Sequence, residues 1–72
     1  MTEYTVLLTW DDEARVWIAE SEDIPGLILE AQSVDALIEE VNVAVPELLE
    51  LMSLPFHNVT VRFKAERLAV VA

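Results

Sequence analysis

The sequence predicts an α+β fold in which three strands, one helix and a final strand follow one another along the chain. Three observations predict it. Short runs near both ends alternate apolar and polar residues with the period of a strand. Between them, residues 34–52 carry apolar residues at the spacing of an amphipathic helix. The turn-forming sequence Asp23-Ile24-Pro25-Gly26 divides the second strand from the third.

The first predicted strand covers residues 3–10. Its expected core face consists of Tyr4, Val6, Leu8 and Trp10. The polar segment 11–14 follows, and an aspartate at its first position favours a type I turn. Because this segment contains no glycine, a tight two-residue hairpin turn is not expected.

The second predicted strand, residues 15–21, carries large apolar side chains on both faces. Val16 and Ile18 share one face, and Trp17 lies on the other. Only one face can meet the helix. We expect Trp17 on the face opposite the helix, where it would lie beside Leu7 as a hydrophobic pair.

The segment 24–27 predicts a type II turn. Pro25 fixes φ at the first central position, and Gly26 can supply the positive φ that the second central position requires. A third predicted strand follows over residues 27–32, with Ile28 on the opposite face from its neighbour Leu27.

The predicted helix begins after Ser33, a favourable N-cap residue, and has Asp35 in its first turn. Its apolar stripe consists of Val34, Ile38, Val41, Val45, Leu48 and Met52, widened by Leu37, Ala44, Leu49 and Leu51. Pro46 falls on the polar side, so we expect a bend in the helix rather than its end.

The last predicted strand covers residues 57–65. Its expected core face consists of Val59, Val61, Phe63 and Ala65. The segment 68–72 is apolar and contains no turn signal, so it either extends this strand or pairs with a neighbouring subunit.

These elements predict one topology. Strands one to three form an antiparallel meander, and the helix is a right-handed crossover to a fourth strand that lies parallel to the first. The predicted strand order is 3-2-1-4, with the helix packed on one face, in a single domain spanning residues 1–72. We expect self-association, as a homodimer, through the open face or the edge of the fourth strand, with the apolar tail as a further candidate contact. The residues expected there are Leu7, Trp17, Ile28, Leu68 and Val70.

Composition limits the classes of partner. The chain has 14 acidic and 4 basic residues, and its net charge is −10. This charge argues against binding to nucleic acid or to an anionic membrane and favours a basic protein partner. The alternative is that the charge only keeps an apolar domain soluble. The sequence contains no cysteine and no apolar run as long as a membrane span, so we expect a cytoplasmic protein without disulfides.

Acidic side chains near the predicted turns are the candidate partner-binding residues. They are Asp11, Asp12, Glu13, Glu20, Glu22 and Asp23. A metal-dependent nuclease is an alternative use of these carboxylates, but their spacing does not match a calcium loop. His57 is the only histidine and has no nucleophile spaced to use it. We therefore expect neither enzymatic activity nor a cofactor.

Several segments carry a family resemblance. They are Asp12-Glu13-Ala14-Arg15-Val16-Trp17, Asp23-Ile24-Pro25-Gly26-Leu27, Glu30-Ala31 with the helix after Ser33, and Val45-Pro46-Glu47-Leu48-Leu49. With these segments the chain resembles the HicB-like antitoxin family. More closely, it looks like a short, single-domain branch of that family whose role is unassigned. The resemblance covers nearly the whole chain.

The resemblance implies a partial ribonuclease-H-like β-β-β-α-β fold, in agreement with the topology above. It also implies binding to HicA, a small basic RNA-cleaving toxin whose active surface the antitoxin covers. Full antitoxins continue into a C-terminal DNA-binding module, and this sequence stops about where that module would begin. We therefore expect no binding to operator DNA. A stand-alone homodimeric domain without a toxin partner stays open as the alternative function.

Overall fold

The computed structural model describes residues 2–72. Its elements are β1 (Thr2–Asp11), β2 (Val16–Glu20), β3 (Ile28–Ala31), α1 (Val34–Leu51) and β4 (Val59–Glu66). This is the predicted β-β-β-α-β order, and the element boundaries differ from the predicted ones by one or two residues. The α+β class is confirmed.

The four strands of this part of the chain form one mixed sheet in the order β3-β2-β1-β4. Strand β2 pairs antiparallel with both β1 and β3, while β4 pairs parallel with β1. The predicted order 3-2-1-4 is therefore confirmed. Because α1 connects β3 to a strand on the far side of β1, it crosses one face of the sheet and leaves the other face open.

The core lies between α1 and that covered face of the sheet. Its buried side chains come from β1, β2, the β2–β3 link and one row of the helix. They are Tyr4, Val6, Leu8, Ala19, Ile24, Leu27, Leu37, Val41, Val45 and Leu49. Burial of these aliphatic groups is the main stabilising contribution in so small a domain.

A turn forms at each of the two predicted places. The Arg15 amide donates to the Asp11 carbonyl at 2.8 Å and closes the β1–β2 hairpin. The Leu27 amide donates to the Ile24 carbonyl at 3.2 Å, and Gly26 has a φ of 86°. That φ is the one a type II turn needs at its second central residue, so this prediction is confirmed.

Helix α1 begins and continues as predicted. The Ser33 hydroxyl accepts a hydrogen bond from the Ala36 amide at 3.1 Å and caps the helix. The helix then passes through Pro46 without ending. Pro46 is exposed, so water can solvate the carbonyl that its ring leaves without an amide donor.

The last turn of the helix differs from the prediction. Leu51 and Met52 were expected in the apolar stripe, but they are 80% and 44% exposed. The row that meets the sheet ends at Leu49. Residues two positions apart on a helix point about 200° apart, so Leu51 projects away from the sheet. Met52 is the C-cap residue, beyond the regular helix.

The predicted position of Trp17 is wrong. Residues directly opposite each other in neighbouring strands share a face, and Trp17 lies opposite Trp10 while Ala19 lies opposite the buried Leu8. Trp17 is therefore partly buried on the helix side, packed against the core. The length of the β1–β2 turn fixes this register, and it places Ile18 on the open face instead.

Candidate protein-interaction surface

The open side of the sheet carries aliphatic and acidic side chains in alternation. Glu20 lies between Leu7 on β1 and Ile28 on β3, and Ile18 pairs with Glu30. We call these five residues the open-face patch. Each of its two carboxylates thus has aliphatic neighbours across the strands.

The open-face patch is accessible. Ile28 is 73% exposed, and Leu7 and Ile18 are partly buried by their neighbours. Within residues 2–72, the carboxylates of Glu20 and Glu30 form no hydrogen bond and no ion pair. The two carboxylates can therefore bind a partner without first breaking a hydrogen bond or ion pair within the chain.

The acids of the hairpin turn are used by the fold. The Asp11 carboxylate accepts hydrogen bonds from the amides of Glu13 and Ala14 at 3.0 and 3.2 Å. The Asp12 carboxylate accepts from Arg15 at 3.0 Å and from the indole N–H of Trp10 at 3.1 Å. These two side chains shape the turn, and a partner would have to compete with its internal hydrogen bonds.

The link between β2 and β3 is tied back to β1. Oδ2 of Asp23 accepts a hydrogen bond from the Thr5 amide at 2.7 Å. The Ser21 hydroxyl donates to the Thr5 carbonyl and accepts from the amides of Asp23 and Ile24. Asp23 therefore has a structural role, whereas Glu22 is exposed beside a shallow groove that Leu7 and Lys64 also line.

The structure does not bring the six sequence-predicted acids together. Asp11, Asp12 and Glu13 lie at the hairpin end of the sheet, whereas Glu20, Glu22 and Asp23 lie where β2 ends. Leu7 and Ile28 were correctly placed on the open face, where they flank Glu20. The sequence interpretation missed Ile18 and Glu30. The period of two already places Glu30 on the face of Ile28, but Glu30 was not chosen as a partner-binding residue.

An ion pair neutralises part of the open face next to the patch. Two guanidinium nitrogens of Arg62 on β4 contact the Glu3 carboxylate on β1, at 3.1 Å each. This hydrogen-bonded contact lowers the pKa of Glu3 and raises the pKa of Arg62. The opposite side of the open face, on β2 and β3, contains Glu20 and Glu30 and no basic residue.

A second surface feature lies at the hairpin end, on the helix side of the sheet. The guanidinium of Arg67 lies over the Trp10 ring at 4.0 Å from its centroid, and that of Arg15 lies at 5.2 Å. Two of the four basic residues therefore contact one indole. The tail residues Leu68 and Val70 line the adjacent groove and are 99% and 100% exposed.

Other kinds of site are not seen in the described part of the chain. Among residues 2–72, no three acidic, histidine or cysteine side chains approach closely enough to hold a metal ion. His57 is exposed, with its ring 4.3 Å from that of Phe56. No helix in this range is both long and apolar enough to cross a membrane.

Comparison with known proteins gives a family without a described activity. A crystal structure of a hypothetical protein from the extremely thermophilic bacterium Thermus thermophilus is similar, with 40% identity and a TM-score of 0.79 over 96% of this chain and 99% of that one. No curated protein matches. The family model described as "Domain of unknown function (DUF1902)" matches residues 3–72. Since this match spans nearly the whole sequence, the chain belongs to the DUF1902 family.

Proposed function

We propose that this chain is an antitoxin-type protein-interaction domain of the cytoplasm, which binds and neutralises a small basic HicA-like RNA-cleaving toxin. The observation that carries the proposal is the open-face patch. Glu20 and Glu30 offer carboxylates without internal partners, and they lie among exposed or half-exposed aliphatic side chains. A basic protein with apolar side chains beside its lysines or arginines is complementary to this surface.

The charge of the rest of the chain supports the same class of partner. The net charge is −10, and the outer side of α1 adds exposed acids at Glu39, Glu40, Glu47 and Glu50. These groups lie away from the open face. We expect them to attract a basic protein over long range and to raise the rate of encounter, while the open-face patch makes the contacts.

The resemblance to HicB-like antitoxins supports the choice of toxin. Its segments include the hairpin and the D-x-P-G turn, which fix the register of β2 and β3 and thereby position Glu20 and Glu30. Covering a basic active surface would neutralise an RNA-cleaving toxin, because the cationic groups that hold the RNA phosphates would be occupied.

The test is a comparison of two charge reversals. Calorimetry measures binding of a HicA-like toxin, and an RNA-cleavage assay measures its inhibition. Glu20→Lys/Glu30→Lys places lysines in the open-face patch. The matched control Glu39→Lys/Glu47→Lys makes the same change in net charge on the outer side of α1. We expect the patch variant to lose affinity by about 100-fold or more, and the control mainly to slow association.

Two results would count against the proposal. Equal losses in both variants would mean that only the net charge matters and that the open-face patch is not the interface. Absence of binding by the unmodified chain to such toxins would remove the antitoxin role itself.

A self-associating domain without a toxin is the second candidate function. It is favoured by the tail, where Leu68, Val70 and Val71 are 99%, 100% and 90% exposed. So much unburied aliphatic surface is unfavourable in water and is relieved by a second copy. Light scattering at increasing concentration tests it, and a monomer at high micromolar concentration would contradict it.

A further inference from the structure

Strand β4 lies at the edge of the sheet, and the chain continues from it into an apolar segment, residues 67–72, which we call the arm. The residues of β4 pair with Thr2–Thr9 of β1, and within residues 2–72 no strand pairs with the other edge of β4. Residues 67–72 form no regular secondary structure. The described chain measures 47 Å in its longest direction but only 20 and 18 Å in the others.

The inner face of β4 is incompletely covered. Helix α1 lies closest to β2 and β3, and the inward side chains of Val59, Val61 and Phe63 pack against the core but are only partly buried. Ala65 shares their face and is exposed. An edge strand is commonly protected by charged residues or by a covering segment. Here the edge carries charges, but the apolar arm that follows it has none beyond Arg67.

We propose that two copies of this chain pair through their β4 edges, antiparallel, about a two-fold axis at Ala65. Each arm then extends the sheet along β4 of the other copy. This inference rests on the self-association named above as the second candidate function, and it is independent of toxin binding. It gives that association a surface, a strand direction and a register.

Charge selects the register. When Ala65 of one copy lies opposite Ala65 of the other, Lys64 of each copy lies opposite Glu66 of the other. The two-fold axis therefore gives this pair of opposite charges twice. If the axis were at Lys64, the two Lys64 side chains would lie opposite each other. If it were at Phe63, Arg62 of one copy would lie opposite Lys64 of the other. Of these three registers, only the one centred on Ala65 places opposite charges across from each other and no like charges across from each other.

The same register places the arm against the exposed part of β4. On the helix side, Ala69 comes opposite Val61 of the second copy, and Val71 comes opposite Val59. At these positions the inner face of β4 is only partly covered within one copy. Each arm therefore buries its own aliphatic groups and the partly exposed face of the other copy in one step.

Arg67 also fits this arrangement. Its guanidinium already lies over the Trp10 ring on the helix side, 4.0 Å from the centroid. The register brings Phe63 of the second copy opposite Arg67. The cation then lies between two aromatic side chains, one from each copy, and the contact is made twice by symmetry.

Cysteine cross-linking tests the axis directly, because the chain has no cysteine of its own. Residues opposite each other in antiparallel strands have Cα atoms about 4.5–5.5 Å apart, within the range of about 4.4–6.8 Å that a disulfide spans. Ala65→Cys should give a covalent dimer rapidly under mild oxidation. Lys64→Cys should react far more slowly, as should Glu47→Cys on the exposed side of α1.

A charge exchange tests the register independently. Lys64→Glu and Glu66→Lys should each weaken the dimer by about tenfold or more, because each replaces two attractive cross-strand pairs by two repulsive ones. The double variant Lys64→Glu/Glu66→Lys should recover most of the affinity. Analytical ultracentrifugation measures the dissociation constants.

The outcomes are distinguishable. Cross-linking at Ala65 together with recovery in the double variant supports the proposed dimer. A dimer that cross-links faster at Lys64, or that Lys64→Glu strengthens, overturns the register. A dimer without cross-linking at either position overturns the β4 interface but leaves self-association standing. A chain that stays monomeric removes both.

Discussion

The indole rings of Trp10 and Trp17 meet edge to face across the β1–β2 hairpin, with centroids 5.6 Å apart and planes inclined by 62°. The two residues are direct partners in the strand register, on the side of the sheet that α1 covers. Edge-to-face contact is a favourable geometry for aromatic pairs. Trp17 is thus part of the hairpin's own packing, and its removal should affect the stability of the fold.

We therefore expect Trp17→Ala to lower the free energy of unfolding by about 2–4 kcal/mol, since it removes a large, partly buried side chain and its aromatic partner contact. Urea denaturation measures the loss. Trp17→Phe should retain much of the packing, and Ile18→Ala on the open face should cost less. If Trp17→Ala left the free energy of unfolding unchanged but prevented dimerisation, the assignment of Trp17 to the packing within one copy would be contradicted.

The link between β2 and β3 should depend on Ser21. Its hydroxyl donates to the Thr5 carbonyl and accepts from two amides of the link, so Ser21→Ala leaves several polar groups without their partner. We expect a loss of about 1–3 kcal/mol in the free energy of unfolding. Ser21→Thr, which keeps the hydroxyl, is the control. Equal losses in both variants would show that side-chain size, and not hydrogen bonding, matters there.

The ion pair between Glu3 and Arg62 predicts a pH effect. The folded state lowers the pKa of Glu3 from its ordinary value of 4.5, chiefly through the hydrogen bonds from Arg62. A lowered pKa stabilises the folded state above that ordinary value, and the contribution disappears as the pH falls through the lower folded pKa.

The stability difference between the natural chain and Arg62→Gln should therefore be largest above pH 4.5 and shrink as the pH falls below it. Thermal unfolding at several pH values measures this difference. NMR titration should also find a higher pKa for Glu3 in the variant. A Glu3 pKa that is the same with and without Arg62 would contradict the prediction.

Pro46 should make α1 less stable than it could be. Pro46→Ala restores an amide that can donate to the Asn42 carbonyl, and alanine is about 3 kcal/mol more favourable than proline inside a helix. The variant also gains freedom in the unfolded state, which offsets part of this effect. We expect a net rise of about 1–2 kcal/mol in the free energy of unfolding. Glu47→Ala, at the next exposed position, should change it little, and an equal response of both variants would contradict the prediction.

The topology was predictable because each element carries a local signal that agrees with its neighbours. The Pro25-Gly26 turn, the Ser33 cap and the alternation in β1 all belong to short stretches of sequence. Rules on strand connection then left one simple order for the sheet. Agreement between local signals and global topology is what makes such a prediction possible.

The face of Trp17 was not predictable in the same way. Strand β2 carries apolar side chains on both of its faces, so its sequence pattern does not indicate which face meets the helix. The answer depends on the register with β1, and one residue more or less in the hairpin turn would exchange the faces. That register is a property of the turn geometry around Arg15, which has a positive φ of 59° without being glycine.

The candidate binding acids were only partly predictable for a related reason. Asp11, Asp12 and Asp23 look like free acids in the sequence, but each accepts a hydrogen bond that shapes a turn or holds a link. Glu20 and Glu30 form no hydrogen bond or ion pair within residues 2–72 through their side chains. Asp11 and Asp12 bond within their own turn, which its polar sequence already indicates, whereas the bond of Asp23 to Thr5 is a tertiary contact that the sequence does not show.

The most direct test of the proposed interaction surface is to map it on the chain in solution. Amide chemical shifts of the labelled domain would be followed by NMR while a HicA-like toxin is added. We predict the largest changes at residues 18–20 and 28–30, with the amides of α1 between Glu39 and Glu47 nearly unchanged. Changes centred on α1, or no changes at all at saturating toxin, would contradict the assignment of the open face of the sheet as the binding surface.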